Sequence, residues 1–350
     1  MTSIMAGEIF EQPDALARTF AALRPLSRDV RTLALARPQV LFSARGSSAN
    51  AATYGRYLAE ICAGRAAAAL APSVATIYRR RVDLRHALVV CVSQSGETLE
   101  IVESLSWARA CGAATLAITN VRDSALAQMA DLTLLTMAGP EVAVPATKTF
   151  TTQLAAMVVL AGALAPDTVF LDAECDRVPD AVAELIHRRR GVEDAVAALL
   201  DRARLLVSGR GLTNAVASEL ALKLEETCLQ PVIGGSYADL LHGPIAIVND
   251  QSAAIVVAPR ESPVLSGLHR LVLGLRARGA LVVALGGDAL LAHEADVAVA
   301  GPDLTEPLAP IGLAVAGQML VERLACELGL DPDAPRGLRK VTQTDAGEPA

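Results

Sequence analysis

Lysine is close to missing from this chain. Of 31 basic side chains only Lys148, Lys223 and Lys340 are lysines, and the rest are arginines. A coding preference for arginine would produce such a count. So would selective use of lysine for chemistry that an always-protonated guanidinium cannot perform, such as carbinolamine or Schiff-base formation. Aromatic residues are also scarce, at 3% with a single Trp, so any core must be built from Ala, Val, Leu and Ile. Positive charge is in deficit: the net charge of −7 argues against the basic face that nucleic-acid binding requires. An anion bound by this protein must therefore be held by a local site.

The six cysteines (Cys62, Cys91, Cys111, Cys175, Cys228, Cys326) form no CxxC and no metal-type spacing. They read as reduced, mostly buried small side chains, and neither a metal nor another cofactor is expected. Met1-Thr2-Ser3-Ile4-Met5 lacks the basic start of a signal peptide. The apolar run from Leu154 to Pro166 is too short to cross a bilayer and reads as a buried helix. The expectation is a soluble, cytoplasmic protein without membrane or nucleic-acid partners.

What is present is self-similarity. VLFSARGSSANA at 40–51 and LLVSGRGLTNAV at 205–216 place Ser43, Arg45 and Gly46 opposite Ser208, Arg210 and Gly211, 165 residues on. After a one-residue slip, Asn50-Ala51 meets Asn214-Ala215. Ala130-Asp131 and Ala295-Asp296 repeat the same offset, and between them ALVVCVS and ATLAITN face AAIVVAP and ALVVALG. Several matches in one order at nearly constant spacing indicate a tandem duplication.

Short apolar runs alternate with helical patterns in each half. Strands are expected near 39–43, 87–92, 114–118 and 132–136, then near 204–208, 253–258, 280–285 and 296–299. Helices near 49–63, 98–111 and 123–129 separate the first set. Continuous apolar strands with helices between them imply parallel sheets covered on both faces, here two tandem flavodoxin-like doubly wound α/β sandwiches. The expected organisation is a leader helix at 1–30, whose start Gln12-Pro13-Asp14 resembles, a first module at 31–173 and a linker helix at 174–196. A second module at 197–334 and a tail at 335–350 carrying Lys340 complete it.

In an open parallel sheet, ligands bind at the carboxyl ends of the strands. Two first-half loops leave strands there carrying hydroxyls: Gly46-Ser47-Ser48, and Ser93-Gln94-Ser95-Gly96-Glu97-Thr98. Hydroxyls, an amide and helix N-terminal N–H groups suit a phosphate monoester, although the same residues also serve as ordinary caps and turns. Neither a Walker loop nor a GxGxxG opens a helix, which disfavours ATP and NAD. The second half has Ala258-Pro259-Arg260-Glu261 at the matching place and offers Lys223 and Glu226, three apart on one helical face. Such spacing alone also describes a surface ion pair. His242, before Gly243-Pro244, is an imidazole in a turn.

Together, GSS, SQSGET, ATKTFTTQ, LKLEE, LHGP and PRGLRKVT resemble the double-SIS (sugar isomerase) family over nearly the whole chain. They resemble the isomerase half of glutamine:fructose-6-phosphate aminotransferase, and GEIFEQPDAL at 7–16 resembles the start of that half. The resemblance implies sugar-phosphate binding at Gly46, Ser47, Ser48, Ser93, Gln94, Ser95 and Thr98. It implies Glu226 as proton shuttle between C1 and C2, and His242 as the ring-opening group donated by a neighbouring subunit, hence a homodimer. Lys340 matches a Schiff-base lysine and Lys223 an assisting one, while Lys148 falls in the ATKTFTTQ motif.

Departures from that pattern narrow the expectation. Glu225 stands where the aminotransferase pattern has a lysine, and Ala146 where it has a sugar-contacting serine. The first SIS strand is reached by about residue 39, with no glutaminase portion ahead of it, so the chain is not expected to draw ammonia from glutamine by itself. Stand-alone double-SIS proteins with an RGLxKVT tail resemble SIS-type glucosamine-6-phosphate deaminases. The resulting expectation is conversion of glucosamine 6-phosphate to fructose 6-phosphate and ammonia. A deaminase for galactosamine 6-phosphate, a deglycase for a fructosamine-type 6-phosphate, a simple sugar-phosphate isomerase and a non-catalytic sugar-phosphate sensor are the alternatives.

Overall fold

A computed structural model describes residues 3–165 and 174–340. It resolves into two units, each built on one five-stranded parallel sheet. The first comprises residues 15–140, 152–165 and 339–340; the second comprises 3–14, 141–151 and 174–338.

In the first unit the strands are β1 (Gln39–Ala44), β2 (Ala67–Ala69), β3 (Ala87–Val92), β4 (Ala114–Thr119) and β5 (Leu132–Leu135). Their order is β2-β1-β3-β4-β5, all parallel. Every residue of β3 and β4 is buried, as continuous Val/Leu/Ala runs require when helices cover both faces. Helices Gly46–Ile61, Leu99–Ala110 and Ala125–Met129 make the crossovers.

The second unit repeats the plan with β6 (Arg204–Gly209), β7 (Val232–Ser236), β8 (Ser252–Ala258), β9 (Leu281–Gly286) and β10 (Val297–Val299). The order β7-β6-β8-β9-β10 is that of the first sheet, so the doubly wound duplication holds. β1 and β6 start 165 residues apart, as do β2 and β7, and β5 and β10. Gly46 and Gly211 both have positive φ, +54° and +60°, at the turn after the first strand. Asp131 and Asp296 each accept an N–H from the neighbouring strand, Thr115 at 2.8 Å and Val282 at 2.8 Å.

The edge strands β2 and β7 were not expected. Ala67-Ala68-Ala69 carries no β-branched residue, and Gly234-Gly235 interrupts the other, so neither reads as a strand. The expected leader helix is three helices, Ile4–Phe10, Gln12–Leu23 and Ser27–Leu33, the last two joined by a 3-10 turn at Arg24–Leu26. The expected linker helix is two, Val178–Arg188 and Val192–Leu199. They break at Arg189 and Gly191, both left-handed, and Gly191 has no room for a side chain, since a Cβ there would lie 1.9 Å from the Ala298 carbonyl oxygen.

Residues 3–14 and 141–151 join the second unit through specific bonds. The Asp333 carboxylate accepts the N–H groups of Ile4 (2.9 Å) and Met5 (2.7 Å), and Glu8 accepts from Val142 (2.5 Å). Buried Gln12 donates to Gln318 at 2.8 Å and accepts from Thr151 at 2.6 Å. Lys148, 1% exposed, meets Glu11 at 2.5 Å. All six cysteines are free. Among the described residues, helix Ala309–Glu327 alone is long and apolar enough to cross a bilayer, and 89% of its most apolar 18-residue stretch is buried within the fold.

Candidate active site

The hydroxyl-bearing loops lie side by side at the carboxyl ends of β1 and β3, where the strand order of the first sheet switches direction. β1 runs through Arg45 into helix Gly46–Ile61, and β3 runs through residues 93–98 into helix Leu99–Ala110. Neither N-cap residue, Arg45 or Thr98, caps its helix with a side chain. Instead the Thr98 hydroxyl pairs with Ser93 Oγ at 3.2 Å, and Ser93 Oγ also accepts the Gly96 N–H at 3.2 Å. Ser95 Oγ accepts the Glu97 N–H at 3.2 Å, and the main-chain oxygen of Gln94 accepts from Asn120 N at 3.0 Å. Ser48 Oγ accepts from Gln153 Nε2 at 3.0 Å, a partner that the sequence did not single out.

Ser48 and Ser93 are buried, and Ser47, Gln94, Ser95 and Thr98 are half-buried around them. Gly96 has φ +67°, and a Cβ there would meet Ser124 Oγ at 2.1 Å, so only glycine lets this turn close. Arg45 grips Glu100 through two bonds of 2.7 Å. That hydrogen bond raises its pKa further, against a smaller opposing effect of burial, but Glu100 also matches its charge. The cradle is thus one of hydroxyls, an amide and helix N-termini, a combination suited to a phosphate group.

The second unit carries the ionisable set. Lys223 sits in mid-helix within Thr213–Cys228 and is 2% exposed. A surface pair would keep both ends in water; here the ammonium is sequestered, bonded to Glu226 and 3.6 Å from Glu219. Burial pushes the Lys223 pKa down, but Glu219, Glu226 and Glu141 outweigh it and hold the group above its ordinary value. Lys223 is therefore a fixed cation, which favours the electrostatic role over the imine role. Glu219 was missed; its position four residues before Lys223 was the available signal.

Glu141 is itself anchored, accepting from Thr147 N (2.9 Å), Thr149 N (3.0 Å) and Thr149 Oγ1 (2.6 Å) at the start of helix Lys148–Leu164. Glu226 is half-buried, with one carboxylate oxygen on the Lys223 ammonium. Glu225 is exposed on the same turn; partial burial raises its pKa, offset in part by the Val232 N–H. His242 is exposed, directly after helix Tyr237–Leu241, and its imidazole makes no hydrogen bond among the described residues. Lys340 is half-buried at the last described position, and Val341-Thr342 of its motif lie outside the described residues.

The SIS domain model matches residues 32–163 and 198–321. The chain belongs to the SIS domain family, with two copies in tandem. Among its relatives is the isomerizing glutamine–fructose-6-phosphate aminotransferase of Thermococcus kodakarensis, 33% identical over 349 residues that cover 96% of this chain and 57% of that protein. The chain thus spans little more than half the length of such relatives. A protein from Silicibacter pomeroyi DSS-3 described as a phosphosugar isomerase is 34% identical, with TM-score 0.87 over 95% of this chain and 100% of that one. The fold is shared with a glucosamine-6-phosphate deaminase of Thermotoga maritima at 22% identity, with TM-score 0.79 over 98% of this chain and 100% of that one.

Proposed function

We propose that this protein deaminates an amino-sugar phosphate, converting glucosamine 6-phosphate and water to fructose 6-phosphate and ammonia. The observation that carries this reading is the Glu226 carboxylate held by the buried Lys223, whose carboxylate neighbours favour its ammonium form. That arrangement suits proton transfer beside an oxygen that gains negative charge. The 6-phosphate binds Ser47, Ser48, Ser93, Gln94, Ser95 and Thr98 with the turn at Gly46, and this remote binding positions the reacting carbons.

His242 assists ring opening as acid and base. Glu226 then removes the proton from C2 of the open-chain aldehyde, and Lys223 stabilises the developing oxygen charge. Return of the proton to C1 leaves an imine at C2; water adds there and ammonia departs. Lys340 acts at the carbonyl end, as the RGLRKVT resemblance implies. The exposed imidazole of His242, without a hydrogen bond among the described residues, supports its use by a second copy in a homodimer.

The test is ammonia release from a panel of amino-sugar and ketose-amine 6-phosphates. Glucosamine 6-phosphate is expected to be the best substrate, and Glu226→Gln to lower kcat by about 100- to 10,000-fold, the range for removal of a general base, with binding retained. Undiminished release by Glu226→Gln would remove Glu226 as the base. Tight binding without any ammonia would favour a sensor, and a preference for another member of the panel would reassign the substrate.

A further inference from the structure

The second unit holds an arginine cluster that the reaction above does not use. The break between helices Val178–Arg188 and Val192–Leu199 presents Arg188, Arg189 and Arg190 in succession beside the loop that follows β10. The elbow is docked by the Ala300 N–H donating to the Arg190 carbonyl at 3.1 Å. Here Arg189 adopts φ +44°, a conformation that a residue with a side chain rarely takes. A cavity of about 140 Å³ opens at this place, with Leu185, Val192 and Met319 among its apolar walls and the three arginines at its rim.

The carboxylates nearby are already matched. Glu184 pairs with Arg188 at 2.7 Å, and Asp303 pairs with Arg260 at 2.8 Å and with Arg177 at 3.6 Å. Arg189 and Arg190 have no ion-pair partner among the described residues, and Arg189 Nε is buried without a hydrogen bond. A guanidinium N–H shut away from water and left unbonded is costly unless a ligand satisfies it. In a chain of net charge −7, two arginines without an ion-pair partner among the described residues stand at the mouth of a part-apolar cavity.

We infer that this cavity is a second anion site, distinct from the hydroxyl cradle, which takes a small phosphate monoester. Arg189 and Arg190 hold the phosphoryl oxygens through paired N–H donors, and the carbon portion rests on Leu185, Val192 and Met319. The inference is independent of the proposed deamination.

Phenylglyoxal modification of the full-length protein, mapped by peptide mass spectrometry, tests it without relying on any variant. At matched ionic strength, inorganic phosphate and glycerol 3-phosphate are each expected to slow labelling of Arg189 and Arg190 at least fivefold relative to chloride. Exposed Arg28 is expected to label at an unchanged rate. As a second measurement, Arg189→Gln/Arg190→Gln with unchanged melting is expected to bind one fewer phosphate per chain by calorimetry. Equal protection by chloride, protection by phosphate but not by the monoester, or unchanged stoichiometry in a folded variant would overturn the assignment.

Discussion

The two SIS copies share a scaffold and differ at their chemistry, and the division follows what each part contributes to folding. Strand order, the left-handed glycine after the first strand and the aspartate clamp recur in both. These features belong to the sheet and its first turn. The loops at the strand tips are free to diverge because they contribute little to the core. In the first copy they carry Ser93 to Thr98; in the second, Arg260 and Ser262 are tied to Asp303 and Glu306. The helix after the first strand differs more deeply. In the first copy its middle, with Tyr54, Leu58 and Ala59, is buried and apolar. In the second the corresponding helix buries Glu219 and Lys223. Apolar packing there is favourable at no electrostatic cost, whereas a buried ion cluster is tolerated only when fully paired, so its presence points to function.

The strongest test of that contrast removes the buried cation. Lys223→Met takes the ammonium away from the buried Glu219 and is expected to lower unfolding free energy by about 3–5 kcal/mol. Urea denaturation reads this. The double variant Lys223→Met/Glu219→Leu makes the second helix resemble the first and is expected to recover most of the loss; failure to recover would show that packing, not charge, sets the difference.

A smaller effect should separate the two aspartate clamps. Asp131 accepts both the N–H and the hydroxyl of Thr115, at 2.8 and 2.7 Å, and lies 3.8 Å from Arg109. Asp296 accepts one N–H and meets Arg276 at 3.0 Å. At about 1 kcal/mol per net hydrogen bond, Asp131→Ala is expected to cost about twice what Asp296→Ala costs. Equal losses in urea would mean that the clamps act as spacers.

The smallest expected difference is in pH response. His269 bonds Glu294 at 2.6 Å and lies 3.4 Å from Asp288; helix Leu99–Ala110 in the first copy has no histidine. Burial lowers its pKa, but these carboxylates outweigh that and hold it above the ordinary value. The native state therefore binds the proton more tightly than the unfolded chain. The contribution is full below about pH 6.5, the unfolded value, and is lost as pH rises through the folded pKa. His269→Gln is expected to remove that slope from thermal melts recorded between pH 5 and 9.

Much of the molecule was legible beforehand, for identifiable reasons. β3, β4, β8 and β9 announce themselves because strands buried on both faces must be apolar throughout. The placing of Ser93, Ser95 and Thr98 between β3 and the following helix was legible because an apolar strand run ends just before them and a helical pattern begins just after. β2 and β7 were not legible, because an edge strand of three alanines or one interrupted by two glycines takes its conformation from the neighbour it bonds. Gln153 was missed because its bond to Ser48 joins positions 105 residues apart.

The amino-acid sequence by itself determined the repeat, the α/β class, the hydroxyl-bearing loops at the strand tips and the scarcity of lysine, since periodicity, composition and spacing are local properties of the chain. Only the tertiary structure decided that Lys223 is buried among Glu219, Glu226 and Glu141 and so remains a cation. It alone decided that Glu11 and Gln12 serve Lys148 and Thr151, and that Arg189 and Arg190 are left unmatched at a cavity. Burial and charge pairing arise from segments far apart in the chain, and no local pattern encodes which of them meet.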